Sequence, residues 1–144
     1  MRNELAMQAS PEAVWAWLVR AELWPTWYGN SKDVAVEDGG PDLHLGSRFR
    51  WTTFGVRLDS KVEEFLPGER LAWSARARGI EAYHAWLIEK RASGCYVRTE
   101  ETQNGFLARM NSFLRPRNMS RQHQSWLEGL LRKAKEGFPP DDQV

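Results

Sequence analysis

The sequence predicts an α+β domain in which an antiparallel sheet is covered on one face by a long C-terminal helix. Its 144 residues are the size of one domain. From about residue 32 to residue 104, apolar and polar side chains alternate and turn residues recur at short intervals, as in antiparallel strands. Residues 105–137 instead have the spacing of an amphipathic helix. Together these three observations indicate the fold class.

The N-terminal segment predicts one strand followed by two short helices. A strand within residues 1–9 would place Leu5 and Met7 on one face. Ser10 then suits the N-cap of a helix and Pro11 its first position. This helix breaks at Pro25, whose ring disfavours helical geometry in the preceding residue, and a second short helix or turn follows.

Six further strands are predicted by alternation. They cover residues 32–37, 48–54, 56–65, 71–77, 82–88 and 95–103. Because strand side chains alternate between faces, one face is charged and the other carries Phe49, Trp51, Trp73, Trp86 and Val97. An apolar sheet face must be covered, and the C-terminal helix is the predicted element long enough to cover it.

The C-terminal third is expected to be a helix with an interruption. Two groups of apolar residues, one around Phe106 and Met110 and one from Trp126 to Ala134, fit its inner face. Pro116 lies between them, so we expect a kink, or a short helix followed by a long one. Residues 138–144 are expected to be a flexible tail, which leaves a single domain over residues 1–137.

Composition and charge exclude several classes of function. A formal net charge of +1 provides no general field for nucleic acid or for an anionic membrane. No apolar run approaches the ~20 residues of a membrane span, and the N-terminus has no signal-peptide core. The single cysteine and three histidines far apart in sequence predict no disulfide, no metal cage and no cofactor. We therefore expect a cytoplasmic monomer or homodimer.

The predicted inner face of the sheet is not uniformly apolar. Ser60, His84, Thr99 and Glu101 share its phase, and burying such groups unpaired would cost about 1–3 kcal/mol each. Either these groups pair with one another, or the space between sheet and helix holds water or a ligand. The small side chain of Ala75 in the same phase would leave room there. Large aromatic, small and polar residues on one face are typical of a small-molecule pocket.

Two sets of residues are candidates for the site. His84 and Glu101 could form an acid–base pair that moves protons on a substrate, or a buried pair that only fixes strand register. The tryptophans of three strands could stack on a planar ligand, or simply fill the core together with Trp24 and Trp126. The predicted ligand-binding residues are Trp27, Trp51, Ser60, Trp73, His84, Trp86, Thr99 and Glu101.

The order and spacing of several segments carry a family resemblance over about residues 3–136. These segments are Ser10-Pro11-Glu12-Ala13-Val14-Trp15, Trp24-Pro25-Thr26-Trp27, Val62-Glu63-Glu64-Phe65-Leu66-Pro67-Gly68-Glu69-Arg70-Leu71, and Gly94-Cys95-Tyr96-Val97 with Thr99-Glu100-Glu101. In this respect the chain resembles the START-like, or Bet v 1-like, superfamily (SRPBCC), and within it the polyketide cyclase/dehydrase-like branch. The resemblance implies a helix-grip fold, with a seven-stranded antiparallel sheet wrapped around a long C-terminal helix and a hydrophobic cavity between them.

Two functions are consistent with this resemblance. Members of the superfamily bind lipids, hormones, polyketides or other apolar molecules, so the first is binding of an apolar, aromatic or polycyclic small molecule in the internal cavity. Some members are cyclases or dehydratases, so the alternative is an enzyme of that type that uses the His84–Glu101 pair. A regulatory domain of the same fold is a third and weaker hypothesis.

Overall fold

The computed structural model describes residues 1–105 and 116–140. Within these ranges the strands are β1 (Arg2–Met7), β2 (Lys32–Val36), β3 (Arg48–Thr53), β4 (Val56–Leu66), β5 (Arg70–Ala77), β6 (Ile80–Arg91) and β7 (Gly94–Asn104). The helices are α1 (Pro11–Leu18), a 3₁₀ helix (Ala21–Thr26) and α2 (Pro116–Glu136). Neither α-helix in these ranges combines the length and the apolar character that crossing a membrane requires.

The strands form one antiparallel sheet in the order β1-β7-β6-β5-β4-β3-β2. From β2 to β7 each strand pairs with the next in sequence, while β1 joins the far edge, where Leu5 lies opposite Val97. The predicted seven-stranded antiparallel sheet is therefore confirmed. Gly55 closes the β3–β4 turn at φ 73°, a conformation that glycine adopts without strain.

Local signals at the first helix are confirmed in detail. The Ser10 hydroxyl accepts a hydrogen bond from the Ala13 backbone N–H at 3.1 Å, as an N-cap does, and Pro11 begins the helix. α1 ends at Leu18, and the 3₁₀ helix that follows carries Trp24 and Pro25. Two short helices after β1 are therefore confirmed, but their bounds differ from the prediction: the first helix ends well before Pro25, and Pro25 lies inside the second helix.

Helix α2 covers the apolar face of the sheet. Its own residues Trp126, Leu127 and Leu130 are buried, and the helix also lies against β1 and α1. The helix lies very close to a neighbouring segment at Gly129, where an added Cβ would lie 2.2 Å from the Trp27 carbonyl oxygen. A glycine at this position thus allows the helix to lie directly on the segment after the 3₁₀ helix.

Most strand bounds lie within one or two residues of the predictions, and the larger differences are in β6 and at the start of the C-terminal helix. The strand predicted over 82–88 extends over Ile80–Arg91, because pairing with β7 keeps even its charged C-terminal residues in the ladder. The predicted helix does not start at Gly105, which lies in a bend at φ 110°. The segment around Phe106 and Met110 lies outside the described residues. The long helix α2 begins at Pro116, the residue at which an interruption was predicted.

The segment after α2 is described up to Pro140. The Trp17 indole N–H donates to the Gly137 carbonyl oxygen at 2.7 Å, and Arg20 donates to the Pro140 carbonyl oxygen at 2.5 Å. Pro139 is buried. Residues 137–140 therefore lie against α1 and the turn that follows it.

Candidate functional site

Strand register brings His84 and Glu101 side by side. They are direct partners in the β6–β7 ladder, and Trp86 is the partner of Thr99 two positions along. In the β5–β6 ladder Trp73 is the partner of His84. Directly paired residues point to the same face of a sheet. All five side chains therefore share the inner face, and all but Glu101, which keeps slight exposure, are buried.

Tryptophans fill the interior of this site. Trp24 of the 3₁₀ helix lies among Trp51, Trp73 and Trp126, with ring centroids 5.2–5.4 Å away. Trp86 completes this tryptophan cluster, 5.0 Å from Trp126. The rings predicted to line a pocket are thus in direct contact with one another and with the two tryptophans expected to pack in the core.

The indole N–H groups of the tryptophan cluster fall into two sets. Trp24 donates to the Leu18 carbonyl oxygen at 3.0 Å, and Trp51 donates to Ser60 Oγ at 3.1 Å. Within the described residues, three buried indole N–H groups on neighbouring rings have no hydrogen-bond partner: those of Trp73, Trp86 and Trp126. An unpaired buried donor costs about 1–3 kcal/mol. Ser60, which was predicted to bind a ligand, therefore accepts the hydrogen bond of Trp51, while the other three indole donors have no such acceptor.

Trp27 lies apart from the other predicted residues. It is buried, and its ring and backbone carbonyl pack against Gly129 of α2. Among the described residues it makes none of the ring contacts that join the tryptophan cluster. Seven of the eight predicted ligand-binding residues are therefore brought together, and Trp27 is not one of them.

A polar group lies at the edge of the tryptophan cluster. His84 Nδ1 is 3.5 Å from Glu101 Oε1, and His84 Nε2 is 2.5 Å from Thr99 Oγ1. His123, from α2, places its Nε2 atom 3.7 Å from Glu101 Oε2. The Gln103 amide N–H donates to the same Oε2 atom at 2.8 Å. We call His84, Glu101 and His123 the histidine cluster.

Charge in the histidine cluster follows from its packing. Burial on its own raises the pKa of Glu101, but the hydrogen bond and charge of His84, the charge of His123 and the hydrogen bond from Gln103 outweigh it and lower this pKa to about 2. Burial, then repulsion by His84, lowers the pKa of His123 to about 4, although Glu101 opposes this shift. At neutral pH Glu101 is therefore an anion and His123 a neutral imidazole.

His123 is the member of the site that the sequence prediction missed. Met119, His123 and Leu127 follow one another at intervals of four residues on the buried face of α2. This spacing was available in the sequence and could have placed His123 against the sheet. The histidines are far apart in sequence, yet two of the three meet here. The third, His44, is exposed and lies 3.4 Å from Asp38.

The outer face of the sheet holds a separate, open groove of about 920 Å³. Charged side chains of both signs line it, and Arg50 and Asp59 within it form an ion pair at 2.7 Å. Exposed pairs of this kind interact favourably with water. Although this groove is large, its charged lining does not suit an apolar ligand, and it is not the candidate site.

Comparisons with known proteins agree with this architecture. A hypothetical protein from Helicobacter pylori is 33% identical, its crystal structure superposes with a TM-score of 0.84, and the match covers 92% of this chain and 86% of that one. The di-domain ARO/CYC StfQ from the steffimycin biosynthetic pathway is 15% identical, with a TM-score of 0.74 over 94% of this chain and 50% of its own. Ara h 8.0201 is 8% identical, with a TM-score of 0.68 over 95% and 97%. Comparison with curated proteins gives no match.

A seven-stranded antiparallel sheet packed on a C-terminal helix, with two short helices after the first strand, defines the Bet v 1-like helix-grip class. The family model described as polyketide cyclase / dehydrase and lipid transport matches residues 3–137. The chain belongs to this family, as the resemblance in its sequence implied.

Proposed function

We propose that residues 1–137 form a domain that binds an apolar, aromatic or polycyclic small molecule between the sheet and α2. The observation that supports this most directly is the set of three neighbouring indole N–H donors, those of Trp73, Trp86 and Trp126, that are buried without partners in the described residues. A planar ligand that carries carbonyl or hydroxyl oxygens would offer ring surface to the indoles and acceptors to these donors.

Packing determines how such a ligand would enter. The tryptophan rings lie against one another at centroid distances of 5.0–6.3 Å, so a ligand must displace at least one of them. Trp126 is the ring that α2 supplies, whereas Trp73 and Trp86 lie on central strands of the sheet. Movement of α2 relative to the sheet is therefore the route that leaves the strand ladders intact.

Tryptophan fluorescence and thermal shift test this proposal with a panel of a flavonoid, a sterol and a fatty acid. For at least one compound, binding should quench the tryptophan fluorescence and raise the melting temperature of the protein. Trp86→Phe keeps an aromatic ring but removes an unpaired donor. It should therefore weaken the affinity for whichever compound of the panel binds. Trp51→Phe is the matched control, since its N–H is already bonded to Ser60. No quenching and no thermal shift at saturating concentrations would contradict the proposal.

A second candidate function is acid–base catalysis of the cyclase or dehydratase type by His84 and Glu101. It is supported by the ionised carboxylate 3.5 Å from His84 Nδ1, with Thr99 orienting the opposite ring nitrogen. His84→Gln keeps hydrogen-bonding capacity and removes proton transfer. For a substrate found in the binding screen, it should abolish turnover and leave affinity nearly unchanged. Equal turnover in the variant and the natural protein would exclude this role.

A further inference from the structure

We propose that the histidine cluster is a divalent transition-metal site, with His84, Glu101 and His123 as protein ligands and Zn²⁺ as the ion that it takes. One possible ligand atom from each residue lies within 4.8 Å of those of the other two. Two imidazole nitrogens and one carboxylate oxygen are a donor set for zinc and for related first-row ions. This proposal departs from the sequence-based expectation of no metal, and it does not depend on whether the tryptophan cluster binds a ligand.

Distances within the cluster are close to those of a coordination site. Ligand atoms at about 2.0–2.2 Å from a tetrahedral zinc ion lie roughly 3.3–3.6 Å from one another. His84 Nδ1 is 3.5 Å from Glu101 Oε1 and His123 Nε2 is 3.7 Å from Glu101 Oε2, so each imidazole is near this separation from one of the two carboxylate oxygens. All the ligand atoms lie within 4.8 Å, so binding requires the farthest pair to approach by at most about 1.5 Å.

The three ligands come from elements that fix them differently. His84 and Glu101 are held by the β6–β7 ladder, where they are direct partners. His123 is carried by α2, which packs across the sheet. A metal ion at this point would therefore bridge the helix and the sheet, and it would add to the stability of their contact.

Hydrogen bonds outside the ligand set support the same assignment. Thr99 Oγ1 lies 2.5 Å from His84 Nε2, so Nδ1 is the ring nitrogen directed at Glu101. Metal-bound histidines usually donate their other N–H to such a partner, and metal-bound carboxylates are themselves hydrogen-bonded. Gln103 supplies that bond to Glu101 at 2.8 Å. Thr99 and Gln103 are thus positioning residues for the ligands.

Isothermal titration with Zn²⁺ tests the proposal on the full chain after EDTA treatment and dialysis. We expect one ion per chain. His123→Gln removes a ligand and should weaken binding at least 100-fold, while Thr99→Val removes an orienting bond and should weaken it about 10-fold. His44→Gln is the matched control, since it removes a histidine that lies beside the exposed Asp38. Unchanged binding in His123→Gln would overturn the assignment, and so would an equal loss of binding in His44→Gln.

A measurement on the natural sequence makes the test independent of variant folding. With Zn²⁺ added, NMR should show shifts of the ring resonances of His84 and His123 and no shift for His44. Co²⁺ should give the intense visible absorption of a tetrahedral site. The proposal would be overturned if Zn²⁺ shifted only the ring resonances of His44, or shifted the ring resonances of no histidine. Failure of the ligand screen described above would leave these results unaffected.

Discussion

His84 and His123 face opposite oxygens of the Glu101 carboxylate, at 3.5 and 3.7 Å. One ring belongs to the sheet and the other to the helix that covers it. The carboxylate is therefore the polar point at which these two layers meet, beside an otherwise aromatic interior. Changes in the charge of Glu101 or of the two histidines should therefore change the stability of the contact between α2 and the sheet.

Acid should destabilise the metal-free protein. The pKa of His123 is lowered from 6.5 to about 4 in the folded state, so the unfolded state binds more protons between these values and stability falls as the pH drops through that range. The full shift corresponds to roughly 3 kcal/mol as an upper bound. Glu101, lowered from 4.5 to about 2, continues the loss at lower pH. Urea unfolding at pH 7 and pH 4.5 measures the effect.

The matched variant for this pH dependence is His123→Gln, which cannot take up a proton. Its free energy of unfolding should change less between pH 7 and pH 4.5 than that of the natural sequence. An identical dependence in both proteins would show that His123 is not the group responsible.

Gly129→Ala should destabilise the fold, although alanine is the better helix former. The added Cβ would lie 2.2 Å from the Trp27 carbonyl oxygen, so α2 must shift away from its neighbour. We expect a net loss of about 1–3 kcal/mol, typical of overpacking. Ser125→Ala, at an exposed position one turn earlier, is the control and should be neutral or slightly stabilising. Chemical denaturation compares the two variants, and a stabilised Gly129→Ala protein would contradict the packing described here.

Trp126→Ala should be among the most destabilising single substitutions. The ring stacks on Tyr28 at 4.6 Å and contacts Trp24 and Trp86 edge-on. Removing a buried aromatic side chain typically costs about 3–5 kcal/mol. Leu66→Ala, at a position that is 55% exposed, should cost far less. Thermal unfolding followed by circular dichroism measures both, and comparable losses would argue against a central role for Trp126.

Ser60→Ala should destabilise the protein by about 1–3 kcal/mol, because it leaves the buried Trp51 N–H without its acceptor. The same substitution in a Trp51→Phe background has no donor to orphan, so its cost should be smaller. A double-mutant cycle in urea gives the coupling energy directly. A coupling near zero would mean that this hydrogen bond contributes nothing to stability.

The sequence by itself determined the local structure and the class of fold. Alternation within β3, β5, β6 and β7 assigned Trp51, Trp73, His84, Trp86 and Thr99 to one face, because successive strand side chains point to opposite sides. Ser10 and Pro11 marked the start of α1 for an equally local reason. Such signals act within a few residues and can be read without knowing where the rest of the chain lies.

Only the tertiary structure decided which of these faces meet, and how closely. The pairing of β1 with β7 and the seating of α2 on the sheet join residues far apart in sequence, and no local pattern specifies their register. For this reason His123 joined His84 and Glu101, which sequence separation had hidden. For the same reason the inner tryptophans proved to pack on one another. The distance between rings depends on how two layers approach, and that distance is set by close contacts such as the one at Gly129.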